Sequence, residues 1–173
     1  MVHLGTLVCI GLIGAVLRLL VRDLPGRAAR ISRLAITPFV LFYGAGEAIL
    51  GVATGVLVQH ADEVSDADRP AAAAAVQAIW NDVIAADVII GLGSIAWGVA
   101  VVGAAVAQRR LGAPLGAVIL LGAAAVAMIH TPPFSTFGLS CLAAGIAWLG
   151  WRQRATDAGP ASSPIAVGGE HEQ

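Results

Sequence analysis

The residue best equipped for chemistry in this chain is a carboxylate in an apolar setting. Glu47 stands near the middle of residues 39–58, whose other members are apolar, small or hydroxyl-bearing. That stretch is long enough to cross a bilayer, and an ionisable group at such depth is costly unless it has a task. Two tasks fit. Glu47 can relay a proton or cation, or it can fasten helices together as a protonated or arginine-paired group. One acid makes no pathway, which makes the fastening role the simpler one. A straight helix puts Glu47 roughly 15 Å from the inner boundary, near the midplane. Ser94, Trp97, Ser140 and Arg18 are the partners expected at that level, Arg18 by reaching up from the first span. Asp87 belongs near the outer boundary, roughly 15 Å higher by the same rise per residue, too far to touch Glu47.

Histidines form the second group. His3, His60 and His130 all fall toward the outer face in the topology derived below, with Asp62, Asp82 and Asp87 on the same side. Histidine with carboxylates suits a divalent metal, with His60, His130 and Asp82 as candidates. His60 and His130, on different helices at similar depth, also suit a haem held between facing helices. Their spacing matches no specific motif, and helix-end histidines facing headgroups and water are the simpler reading. Trp80, Trp148 and Trp151 read as interface anchors, and Trp97 as a core residue whose N–H needs an acceptor. There is no phosphate-binding glycine loop, no nucleophile elbow, no Cys-x-x-Cys and no His-Glu-x-x-His, which weighs against most enzyme classes.

Composition explains why these groups need a special scaffold. Of 173 residues, 58% are hydrophobic and 12% charged, and the mean hydropathy is +0.84. A soluble domain carries about twice that share of charge. Every strong cation is arginine, and the arginines sit in short clusters beside apolar runs, leaving no basic surface for nucleic acid. Cys9 and Cys141 both fall within apolar runs and read as small buried hydrophobes.

The pattern predicts an all-α membrane bundle of five transmembrane helices plus a short surface helix. The spans fall at about 4–21, 35–58, 88–107, 115–130 and 134–151. Arg22, Arg27, Arg30 and Arg33 make the most positive loop, broken by Pro25-Gly26, and Pro38 lies in the first turn of the second span. Residues 60–83 are acidic. Asp68 is the expected N-cap of an amphipathic surface helix, with Pro70 in its first turn and Val76, Ile79, Trp80 and Val83 at helical spacing over 71–83. Arginines follow spans one, three and five, while the other connections have almost none. The positive-inside rule then sets the N-terminus outside and the C-terminus in the cytoplasm. The bundle is expected to fill 1–152, and 153–173 to be a disordered cytoplasmic tail.

Small residues mark the expected packing faces. Gly44, Glu47, Gly51 and Thr54 share one stripe of span two, where Gly51 and Gly55 are four apart. Asp87, Gly91, Ser94 and Gly98 share one stripe of span three. Such faces let helix backbones approach closely.

Three segments carry a resemblance: Phe42-Tyr-Gly-Ala-Gly-Glu47, Arg109-Arg-Leu-Gly-Ala-Pro114 and His130-Thr-Pro-Pro-Phe134. Together, over about 35–151, they resemble small multi-pass membrane proteins of high-GC bacteria, a group with no assigned activity. The resemblance implies a bacterial inner membrane. The expected partners are the lipid bilayer and a second copy or another membrane protein, with no nucleic acid and no cofactor. The favoured expectation is a non-enzymatic protein acting through helix–helix association. The alternatives are a small proton- or cation-coupled transporter using Glu47, and a haem- or metal-binding protein using His60 and His130.

Overall fold

In the computed structural model, residues 2–61, 63, 65–129 and 133–157 are described, and among them the chain is helical with no strand. Helix α1 is Val2–Val21. The rod α2 runs Arg27–His60, α3 is Arg69–Trp80, and α4 spans 83–110. Helix α5 is Leu115–Met128 and α6 is Phe134–Asp157. Four helical segments are long and apolar enough to cross a membrane: His3–Val21, Arg27–His60, Arg69–Arg110 and Phe134–Thr156. The fifth expected crossing, α5, is apolar but shorter.

The second span starts earlier than its charge pattern suggests. Gly26, with φ of 96°, makes the turn, and the helix begins at Arg27 rather than near Ala35. Arg27, Arg30 and Arg33 are therefore helical. Pro38 consequently lies inside the rod, not in its first turn. Proline has no N–H for the bond to the preceding turn. The rod stays continuous by widening into a π-helix over Phe39–Tyr43. It widens again over Glu47–Ala53, and α4 opens in the same way over Val83–Ile89. Such wide turns are rare and concentrate at functional sites.

Packing is densest where α2 meets α4 and where α5 meets α6. Helix α4 buries Gly93, Ala96, Trp97, Ala100, Val101 and Ala104, and presents Leu92, Ile95, Val99, Val102 and Val106 outward. Small residues inside and large apolar ones outside suit a helix surrounded by lipid. The buried stripe is rotated from the expected one: Asp87 is exposed, and Gly91, Ser94 and Gly98 are half-buried. Alanine is nearly as permissive of close approach as glycine, and the alanines carry this interface. A Cβ on Gly93 would sit 2.7 Å from the backbone nitrogen of Tyr43, and one on Gly103 would sit 3.1 Å from the carbonyl of Ala28.

Polar side chains tie the arginine-rich end together. The Arg33 guanidinium donates to the carbonyls of Val21 (2.6 Å), Leu24 (3.0 Å) and Arg22 (3.2 Å). Gln108 Nε2 donates to the Leu20 carbonyl at 3.1 Å, and Ser32 Oγ to the Ala100 carbonyl at 2.7 Å. A helix leaves its last carbonyls without internal donors, and Arg33 and Gln108 supply them for α1. Trp97 finds its acceptor in the Ala124 carbonyl, 2.9 Å away, where α5 tightens into a 3₁₀ turn. The Trp97 ring also packs on Phe39, centroids 4.9 Å apart.

Some expectations change. Cys9 is exposed and Cys141 buried, both as free thiols. Helix α6 continues to Asp157, so 153–157 are helical rather than a disordered tail. The rest of that tail, with His130 and Asp62, lies outside the described residues. Helix α3 has Asp68 at its N-cap position and Pro70 in its first turn, but it stops at Trp80, and Val83 belongs to the start of α4. The Asp68 carboxylate accepts from Ser65 Oγ at 2.7 Å instead of capping the helix.

Candidate functional site: a buried carboxylate paired with His3

Glu47 is buried, only 7% exposed, at the start of the second π-helical segment. Its Oε1 lies 2.7 Å from His3 Nδ1, on the first turn of α1, and the imidazole is half-exposed. The pair joins residues 44 positions apart and bridges two helices. When it holds one proton it is neutral as a unit, whether as imidazolium and carboxylate or as imidazole and carboxylic acid. That neutrality is what lets a carboxylate sit out of water at modest cost.

Along the bundle, Glu47 stands farther from the arginine-rich end than expected. Arg33 lies level with the end of α1, and Glu47 is about 21 Å beyond it at the helical rise. Gly46 packs against Ile90, so Glu47 sits about one turn from the level of Asp87. Asp87 nonetheless faces outward, and the two acids do not form a pair. Arg18 is exposed and lies about 22 Å along α1 from His3, out of reach of Glu47. Ser140 is exposed and donates to its own helix at Thr136, and Trp97 donates to Ala124. Of the charged and polar candidates, it is His3 that the fold delivers.

Gly51 makes the pairing sterically feasible. A Cβ there would lie 2.5 Å from His3 Nδ1 and 2.9 Å from Glu47 Oε1. One turn on, the buried Thr54 hydroxyl donates to the Leu50 carbonyl. Of the other expected packing glycines, Gly44, Gly55, Gly91 and Gly98 would each place a Cβ in open space. Close approach instead occurs at Gly14, Gly46, Gly93, Gly103 and Gly138.

The pair forms part of the wall of a cavity of about 650 Å³. Leu50, Trp80, Ala86, Ile90 and Met128 supply most of the remaining lining, which is largely apolar. The volume lies within the range of sites for small organic ligands. Away from the cavity, toward the arginine-rich end, the interior closes. Phe39, Trp97, Leu17 and Val101 are completely buried there. The cavity therefore lies toward the acid-rich end, and apolar side chains fill the interior on its other side.

His60 and Asp82 do not join it. The His60 ring bonds the Val56 carbonyl at 2.9 Å, and Asp82 accepts from the Ala85 amide at 2.8 Å to cap the start of α4. Among the described residues, no three His, Cys, Asp or Glu side chains gather where they could hold a metal ion.

Sequence reasoning missed His3 and Trp80, which read as headgroup-facing groups. The missing signal was depth: once α2 is started at Arg27, the first turn of α1 and residue 47 fall at neighbouring levels. Comparison with known protein families, curated proteins and solved structures finds no match, which leaves the site's own geometry as the guide to its function.

Proposed function

We propose that this chain is a small multi-pass membrane protein in which Glu47 is a proton- or cation-binding carrier group, serving a cavity that opens on one side of the membrane. The observation that carries the proposal is the pairing of buried Glu47 with half-exposed His3 in the wall of an apolar cavity. A carrier needs a titratable group that is reached from one side at a time, and the apolar seal of Phe39, Trp97 and Leu17 fits one such state. In this reading α5 is the fifth crossing, and its 14 residues, Leu115–Met128, cover about 21 Å. Every arginine except Arg69 belongs to the end that holds the Arg33 clamp, which by the positive-inside rule is cytoplasmic in a bacterial inner membrane. The cavity then faces outward.

The test is flux in proteoliposomes. Glu47→Gln abolishes ion-coupled movement while expression and thermal stability are kept, and unchanged flux removes the proposal. A reporter fused after His60 reads the orientation: activity outside the cell agrees with it, and activity inside reverses it.

Association remains the second reading, on a different observation. An apolar groove of about 400 Å³ runs between α2 and α4, floored by Gly98 and Gly103 and walled by Ile31, Val99, Val102 and Val106. Gly51 is occupied inside the bundle, so Gly98 is the position that reports on it. Gly98→Leu fills the groove and shifts the crosslinked oligomer if a second copy seats there, and leaves it unshifted otherwise.

A further inference from the structure

The chemistry of the cavity specifies its occupant more closely than the carrier reading alone. We propose that it takes a lipophilic organic cation, an ammonium or phosphonium centre on an apolar body, which replaces His3 as the partner of the Glu47 carboxylate. This rests on Glu47 being the working group of the site.

The sign of charge comes first. Among the described residues that line the cavity, only His3 and Glu47 are ionisable at neutral pH. Tyr43 lies one turn from Glu47 on α2 and Asp87 one turn from Ile90 on α4; neither lines this cavity, and Tyr43 lines the second one described below. An ionised carboxylate is acceptor-only and attracts a cation. Its present partner is half-exposed on the first turn of α1, where it can swing into the open mouth.

A small metal ion is a poor fit. It needs several oxygen or nitrogen ligands, and one carboxylate with one imidazole falls short of that. An organic cation needs a single counter-charge and apolar walls, and Leu50, Ile90 and Met128 provide the walls. Trp80 adds an indole face, the strongest aromatic partner for a cation. A second cavity of about 200 Å³ shares Thr6 and Met128 with the first and runs down between α1 and α6 past Ile10, Ile13 and Leu139. An apolar substituent can extend into it.

Charge then links the ligand to a proton. The one-proton pair is neutral. A cation seated against Glu47 leaves one excess positive charge if that proton stays on His3. In a low-dielectric site such an excess is costly, and His3 returns the site to neutrality by giving its proton to water at the mouth. One cation enters and one proton leaves.

Calorimetry on the purified, detergent-solubilised full chain tests this, with tetraphenylphosphonium as the probe and two buffers of different ionisation enthalpy. The expected result is saturable binding with about one proton released per cation. Glu47→Gln weakens binding by at least about tenfold, whereas Glu47→Asp, which keeps the charge, retains part of it. His3→Ala removes the competitor, so binding tightens and proton release disappears. Neutral triphenylphosphine oxide, of similar bulk, binds at least about tenfold more weakly. Absent binding, equal binding by the Glu47→Gln variant, or weaker binding by His3→Ala overturns the proposal. If tetraphenylphosphonium fails to bind while Glu47-dependent proton flux persists in proteoliposomes, the ligand class is wrong and the carrier reading stands. If that flux is also independent of Glu47, both fall.

Discussion

The two ends of the bundle are built from different materials. At the arginine-rich end, helices touch through alanine and glycine, and polar side chains are spent on backbone carbonyls: half-buried Arg33 and buried Gln108 on α1, buried Ser32 on α4. At the acid-rich end the helices widen into π turns, a cavity opens, and the buried charge is met by a side chain from another helix. Bonds to backbone carbonyls fix geometry, because the backbone cannot turn away. A bond between two side chains can be exchanged. The difference teaches that fixed bonds and exchangeable ones lie in separate halves of the same rods.

Substitutions can break that contrast. The largest effect is expected at Gly93, where valine drives a side chain into the Tyr43 backbone. Such overpacking costs about 3 kcal/mol or more, read as loss of folded protein in a detergent thermal melt. Arg33→Gln leaves α1 carbonyls without their donor and costs roughly 1–3 kcal/mol by the same measurement. Trp97→Phe keeps the ring against Phe39 but orphans the Ala124 carbonyl, for about 1 kcal/mol. Gly55→Ala, at a helical position with room for a Cβ, stabilises by about 0.5–1 kcal/mol. Glu47→Gln sharpens the comparison from the other side: its expected loss is in flux and cation binding, with a smaller change in melting temperature than Arg33→Gln. If Glu47→Gln melts as early as Gly93→Val, the carboxylate is a structural fastener and the division between the halves is wrong.

Much of the helix inventory was readable in advance. Apolar run length placed α1 closely and located the middles of α4 and α6, whose ends extend beyond the apolar runs, and Asp68 with Pro70 located the start of α3. What misled was the arginine cluster. Arg27, Arg30 and Arg33 read as a loop because charge is scarce in this chain, yet a basic helical turn can project from the end of a bundle and cap its neighbour. Starting the second span eight residues late then set Glu47 too close to the arginine-rich end, at the level of Arg18 and Ser94 instead of His3. The stripe Glu47, Gly51, Thr54 was correctly seen to face protein. The matching stripe on α4 was not, because glycine and polar residues were weighted over the alanines that carry the contact. Which histidine met the acid was not in the pattern of any one helix; it follows from the relative height of two.

The fastening of α1 has a mechanical consequence. Its last turn is held by Arg33 and Gln108, and Leu17 and Val21 are wholly enclosed beside them. Its first turn is held to α2 through His3, while Leu4, Val8 and Leu12 face outward. A rod clamped at one end and latched at the other is a lever with its fulcrum at the clamp. The slot beside Ile10 and Ile13 lies between the two fastenings.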